Sequence, residues 1–358
     1  MDAPDTPATP APMEGHGAYN TRSQVQGHGL APAVALFRTA ATLVPLPHGP
    51  ITLADFGCSQ GGNSLTPMRE AIAVLRERAG ATRDIAVIHT DLPDNDFSTL
   101  FRLLATDPAS YMRDDPDVFC AAIGRSFYQQ VLPADSLALG WSSWAVQWLS
   151  RTPAPIPDQL QVAFSRDLAA RTAYAAQAAA DWRVFLTHRG RELRPGGRLV
   201  VVTMALDDLG RFGYEPVMRA MQAALDGLVA GGLVTADEAH RMAIPTVGRS
   251  PDDIMAPFKA EGSFVGLVVE QLVPFAGEDT LWATFQADGD AEAFGRGWAA
   301  FCRASVFPTL AGALNGGAAD PRRAVFFDAM DDAMARRLAA APTPVLIPLV
   351  MMTLAKRA

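Results

Sequence analysis

Apolar residues along the chain fall into two alternating kinds of segment. Short, mostly β-branched runs at 51–56 (ITLADF), 85–90 (IAVIHT), 136–141 (SLALGW), 198–203 (RLVVVT), 264–271 (FVGLVVEQ) and 345–354 (VLIPLVMMTL) predict strands, the first four bounded by Gly, Pro or Asp. Longer Ala-, Leu- and Arg-rich stretches of helical period predict helices at roughly 64–79, 96–106, 116–130, 166–194, 214–230, 289–312 and 321–340. Such alternation predicts an α/β fold, a mostly parallel sheet covered by helices on both faces. The interval 207–262 breaks the pattern with two helical stretches and no convincing strand, and reads as a helical cap inserted into a core of 13–206 and 263–358. Pro195-Gly196-Gly197 should end a helix before the fourth strand. Residues 1–12, rich in Pro, Ala and Thr, read as a disordered tail, with order beginning near Met13. The sequence shows no internal repeat and no heptads.

Composition narrows the partner more than the fold. Hydrophobic residues make up 49% of 358, which supports a sizeable core. A net charge of −8 with no basic run argues against a nucleic-acid surface. Only Lys259 and Lys356 are lysines, and we read this with the abundance of Ala as codon bias. Cys58, Cys120 and Cys302 are too few and too scattered for a disulfide framework or a Cys-rich zinc site. No apolar run reaches the ~18–20 residues of a membrane span, and the acidic, Pro-rich N-terminus is no signal peptide. The expectation is a soluble, cytoplasmic protein that handles a small molecule.

Chemistry concentrates in Leu53-Ala54-Asp55-Phe56-Gly57-Cys58-Ser59-Gln60-Gly61-Gly62-Asn63, where glycines stand between a strand and the helix starting near Ser64. Glycines there let backbone approach a ligand, and the helix start offers free N–H groups. The spacing is not the G-x-G-x-x-G dinucleotide fingerprint. Asp55 at the strand end would repel a pyrophosphate and suits a positive ligand such as the amino group of S-adenosylmethionine. Asp91, just past the second strand, can accept two hydrogen bonds from a ribose diol. Ser126-Phe127-Tyr128 and the end of the 136–143 segment, with Ser142, would supply the adenine surface. By itself, Trp141-Ser142-Ser143-Trp144…Trp148 at helical spacing reads as core packing. His16 and His28 read as solvated loop residues and His89 as a structural histidine. Cys58 reads as a small loop residue, because no His or acid is placed by the sequence to activate it.

Four stretches in order then resemble one family. They are Gly17-Ala18-Tyr19-Asn20-Thr21-Arg22-Ser23-Gln24-Val25-Gln26, the Ala54–Asn63 loop, Asp91-Leu92-Pro93-Asp94-Asn95-Asp96-Phe97, and Ser126-Phe127-Tyr128 with Trp141–Ser150. Together they resemble the SABATH methyltransferases, which methylate salicylate, benzoate, jasmonate and indole-acetate carboxyls or caffeine-pathway nitrogens. The resemblance is dense over about 15–150 and thinner beyond. It implies a Rossmann-like class I methyltransferase sheet and S-adenosyl-L-methionine as methyl donor. It further implies that Asp55, Gly57 and Cys58 hold the donor's methionine end, with Tyr19, Ser23 and Asn63. Asp91 and Leu92 would hold ribose and adenine, with Ser126 and Phe127 on the adenine. Gln26 and Trp148 match the pair that grips an acceptor carboxylate through amide and indole N–H groups. Trp144 matches an aromatic wall position, Gln147 stands where an apolar residue is common, and Met204, Met218 and Ile347 fall at other pocket positions. A homodimer is likewise implied.

Two departures stand in the third motif, where Asp94 replaces the family's Gly and Thr90 its Asn. The divalent-ion pattern of some relatives has no match, so no metal is expected. A carboxylate is already ionised at neutral pH and needs no general base. Placing its oxygen about 3–3.5 Å from the methyl, in line with the leaving sulfur, is then most of catalysis. Two neutral donors suit that task, since an arginine clamp would quench the nucleophile. The expected activity is methyl-ester formation on a small, mostly apolar, aromatic carboxylic acid. The alternatives are N-methylation of a small heterocycle and a non-catalytic module that binds the S-adenosyl ligand.

Overall fold

A computed structural model describes residues 11–15, 17, 20 and 30–357. Helix α1 (Ala31–Leu43) precedes strand β1 (Ile51–Phe56), and α2 (Leu65–Ala79) leads to β2 (Ile85–Asp91). Helix α3 (Phe97–Thr106), β3 (Val118–Gly124) and β4 (Leu137–Ser143) follow. The long α4 (Leu168–Glu192) runs into β5 (Leu193–Met204). Helices α5 (Glu215–Ala230), α6 (Ala236–Arg241) and α7 (Pro251–Met255) separate β5 from β6 (Leu267–Ala276). Helices α8 (Thr280–Asp288), α9 (Ala291–Ser305), α10 (Phe307–Ala311) and α11 (Arg323–Ala340) precede β7 (Pro348–Lys356).

The strands form one seven-stranded sheet in the order β3-β2-β1-β4-β5-β7-β6. All neighbours are parallel except β7, which is antiparallel to both β5 and β6. The central strands are buried on both faces, as their near-continuous apolar runs require. Register matters most at the carboxyl ends, where open α/β sheets bind ligands. There Asp55 lies opposite both His89 and Trp141, and Asp91 opposite Gly124.

Four expectations need correction. The stretch 116–130 is not a helix: 118–124 is edge strand β3 and the rest is loop. Its Cys-Ala-Ala centre has helical propensity, but seven parallel pairings to β2 prevail, and half-exposed residues blur the period-2 signal. The 289–312 helix is two, because Pro308 starts a new helix where α9 ends. Helix α4 ends at Glu192, before Pro195-Gly196-Gly197, which form a bulge inside β5 between the Leu137–Leu193 and Leu139–Arg198 pairings. Residues 11 and 12, assigned to the tail, are placed, with the Ala11 N–H donating to Thr309 Oγ1 at 3.3 Å. Helices α1 and α8 had no counterpart in the sequence reading.

Helices α5 and α6 of the 207–262 interval do not pack alone. Helix α5 lies against α11, and α11 against α9, so residues beyond 262 build the same layer. Tyr214, Trp298 and Phe301 form its aromatic centre, with Tyr214 and Phe301 stacked 6.4 Å apart.

Candidate active site

The glycine loop follows β1. Gly57 has φ +87°, and a Cβ there would sit 2.4 Å from that of Ala145, so only glycine fits. Gly61, at φ +85°, is equally confined by Leu100. The N–H groups of Gly57 and Cys58 both donate to the Thr90 carbonyl, at 2.9 and 3.0 Å, tying the loop to the end of β2. Ser59, at φ +47°, turns its N–H onto Asp91 Oδ2 at 2.7 Å, while the Leu92 N–H donates to Oδ1 at 2.7 Å. Burial pushes the Asp91 carboxyl up to about 6, against the pull of those two N–H groups. Each oxygen keeps a lone pair for a further donor.

Asp91 faces a cavity of about 330 Å³. Gly57, Leu92, Ser126, Phe127, Trp144 and Trp148 line it too, so the structure brings these predicted residues together. Ser126 and Phe127 sit on a loop that α4 holds. The fully buried Arg189 donates to the carbonyls of Phe127 and Gln129, at 2.8 and 3.0 Å, and pairs with buried Glu192. Glu192 Oε1 accepts from the N–H groups of Val131 and Leu132, at 2.6 and 3.1 Å. The guanidinium also lies 4.2 Å over the Phe56 ring. One buried ion pair thus fixes the whole 127–132 loop.

Other predicted residues lie elsewhere. Tyr19, Ser23 and Gln26 fall outside the described residues. Asp55 does not line the cavity: it is buried, accepts from the Ser64 hydroxyl and lies 3.1 Å from His89 Nδ1. His89 Nε2 meets the Tyr111 hydroxyl at 2.7 Å. Burial alone would depress this imidazole, but its hydrogen bonds to Asp55 and Cys120 outweigh that and raise it to about 9. Asp55, Cys58 and His89 hold donor atoms within 4.8 Å of one another, a spacing that a metal would accept. However, Asp55 is already engaged, and burial beside Asp91 and Asp55 raises the Cys58 thiol and keeps it protonated. The cluster is a closed hydrogen-bonded floor under the loop.

Asn63 lies in the turn before α2 and also misses the cavity. Ser142 is fully buried, its hydroxyl donating to the Phe56 carbonyl at 2.9 Å, which staples β4 to β1, and it does not line the cavity. Ile347 is buried against Gly277 and does not line the Asp91 cavity.

Trp144 and Trp148 also wall a second, inner pocket of about 50 Å³, which shares Met13 with the first. Trp144 takes φ +54°, and its N–H donates to the Val202 carbonyl at 3.0 Å. That strained geometry at a strand end points its ring between the two cavities. The Trp148 indole N–H has no partner among the described residues, whereas Gln147 is committed at both ends of its amide, to Trp144 and Thr203. Met204 and Met218 line this pocket. Phe212, Tyr214, Ile244, Thr246, Phe301 and Gln161 line it as well and were missed. Only Phe212, bracketed by Gly210 and Gly213, carried any local signal of an unusual position.

A family model described as SAM-dependent carboxyl methyltransferase matches residues 11–353. The chain belongs to this family. Its methyl donor is therefore S-adenosylmethionine and its acceptor a small acid. Indole-3-acetate O-methyltransferase 1 of Arabidopsis thaliana is 28% identical over 322 residues, 81% of either chain. Salicylate carboxymethyltransferase of Clarkia breweri is 29% identical over 252 residues, 67% of either chain. A structure of loganic acid methyltransferase with SAH superposes with TM-score 0.77 at 20% identity, covering 97% of this methyltransferase and 99% of the other. That likeness supports the class I methyltransferase fold. No helix among the described residues is long and apolar enough to cross a membrane.

Proposed function

We propose that this methyltransferase esterifies the carboxylate of a mostly apolar, aromatic acid in the inner pocket. The observation that carries the reading is that pocket's lining. It opens beside the Asp91 cavity, and its only titratable group among the described residues is Tyr214, whose phenol burial pushes far up. A pocket without a base suits an acceptor that arrives deprotonated. A ring nitrogen bearing a proton has no described group there to receive it.

The residues present fit the donor. Gly57 lines the Asp91 cavity with bare backbone, and Asp91 has lone pairs for a diol. In this reading Asp91 and Leu92 hold the ribose and adenine, and Ser126 and Phe127 the adenine. Gly57 lets the methionine end approach, with Asp55 acting through the loop. S-adenosylmethionine, when bound, supplies its methyl from a positively charged sulfur and leaves as S-adenosylhomocysteine. The indole N–H of Trp148, with Gln26, orients the acceptor carboxylate without neutralising it. Trp144, Met204, Met218 and Phe301 exclude water, so the approaching charges are not screened.

Incubation with methyl-labelled S-adenosylmethionine and a panel of aromatic and isoprenoid acids should give base-labile esters. Label found only on ring nitrogens of heterocycles would replace this reading by N-methylation. Binding of S-adenosylhomocysteine with no turnover of any acceptor would leave a binding module. The same reading has a homodimer working in the cytoplasm, which sedimentation at micromolar concentration and fractionation test.

A further inference from the structure

The inner pocket is small for its task. A cavity that takes a benzene ring needs about 150 Å³, three times what Trp144, Met218 and Phe301 leave. Room lies next door: a chamber of about 760 Å³ runs along α4 and shares Gln161 and Phe212 with the inner pocket. Of this partition, Gln161 is pinned, its amide donating to the Thr246 carbonyl at 2.8 Å. Phe212 is held by packing alone. Its backbone stands between Gly210 at φ +72° and Gly213 at φ +79°, and its buried ring packs beside Gly248 and against Phe164 and Tyr214, with ring centres 6.2 and 5.9 Å away.

The chamber is chemically distinct from the inner pocket. Most of its wall is apolar, including Trp182, Ala175, Ala178 and Val247. Among its charged groups Arg211 pairs with Asp207, Glu215 with Arg219, and Asp253 closes a capping box with Ser250. Arg171 and Arg249 have no carboxylate within ion-pair distance among the described residues. Arg249 is buried, donates to the carbonyls of Val146 and Ala178 at 2.6 and 3.1 Å, and leaves its Nε without a partner. Tyr174, 1% exposed, also lines the chamber with a hydroxyl that meets no partner among the described residues. A buried donor left open is costly in the absence of a ligand or water.

We propose that the acceptor is an elongated acid whose far end, carrying a second carboxylate or similar anionic group, passes Phe212 into this chamber. The inference rests on the carboxyl reading above and adds the substrate class. One carboxylate takes the methyl beside Trp148, while the other stays free near Tyr174, Arg171 and Arg249. The apolar stretch between them lies along Ala175, Ala178 and Trp182.

The test compares dodecanedioic, dodecanoic and benzoic acids with the full chain. Dodecanedioic acid should give a monomethyl ester with the highest kcat/KM, and should bind the S-adenosylhomocysteine-loaded enzyme by calorimetry more tightly than dodecanoic acid. Ala175→Trp, which fills the chamber from an exposed helix position, should lower the ratio of kcat/KM for dodecanedioic over benzoic acid by about tenfold or more. Arg171→Gln and Tyr174→Phe should each reduce the preference for the diacid over dodecanoic acid several-fold, through KM. Methylation of benzoic acid with no preference for the diacid, or ratios unmoved by these variants, overturns the inference alone. Methylation of no acid overturns the carboxyl reading and the inference with it.

Discussion

The two halves of the site are built from different materials. The Asp91 half is a set of strand ends and tight backbone turns: Gly57, Ser59 and Leu92 are placed by main-chain hydrogen bonds and sheet register. The acceptor half is assembled from side chains of separate segments, among them Met204, Phe212, Met218, Ile244 and Phe301. The first is a rigid cradle, and the second a packed wall that side-chain exchange can reshape. Under the proposed function, donor recognition is therefore bound to the fold, while acceptor choice rests on packing that can vary without disturbing it.

This contrast can be broken by experiment, beginning with the largest effect. Arg189→Met leaves Glu192 buried without its partner and should cost about 3–5 kcal/mol in urea unfolding. Adding Glu192→Leu should recover much of that stability. S-adenosylhomocysteine affinity should stay low in the double variant, because the 127–132 loop has lost both anchors. Full affinity there would show that the loop holds itself.

His89 offers a second measure of the rigid half. Its imidazole is raised in the folded protein, so the stability it contributes is complete below pH 6.5 and is lost as pH rises through about 9. Unfolding free energy should therefore fall over that window by on the order of 3 kcal/mol, a slope absent from His89→Leu. An unchanged slope in the variant would remove the charged His89–Asp55 pair from the account.

Gly57→Ala should weaken S-adenosylhomocysteine binding roughly a hundredfold, since its methyl cannot coexist with Ala145. Trp148→Phe is the opposite case. It should cut turnover about tenfold while the donor's Kd stays within about twofold, because only the acceptor loses a hydrogen bond. Equal loss of both would erase the boundary between the halves. The mildest effect is titration of Asp91: donor affinity should be flat above pH 7 and decline below about 6, as the protonated carboxyl accepts less well. Asp91→Asn should bind weakly at every pH, without that decline.

The same contrast explains what the sequence could disclose. Sheet, glycine loop and Asp91 were legible because strand runs, glycines at forced φ and an acid at a strand end are local signals. Trp144, Trp148, Met204 and Met218 were found through the family likeness, and they do meet at one pocket. Asp55 and Ser142 lie off the cavity for a physical reason. A polar residue at a strand end looks alike whether it faces a ligand or a neighbour's backbone, and here Ser64, His89 and Phe56 claim them. Gln161 and Phe301 lie far apart along the chain, in segments whose periodicity is ordinary, so nothing local marks them. Strand β3 was hidden by alanines, whose helical preference was overruled by pairing partners.

The position of β7 has a consequence for how the protein is made. It is the last of the seven strands in the chain, yet it lies inside the sheet, between β5 and β6. While a ribosome is still adding α8 to α11, β5 presents an unzipped apolar flank and β6 has no neighbour to pair with. Until residues 348–356 emerge and slot between them, the nascent chain exposes two sticky edges. Synthesis of this enzyme is thus a wager on its final strand, and chaperone demand should peak in the interval before that strand arrives.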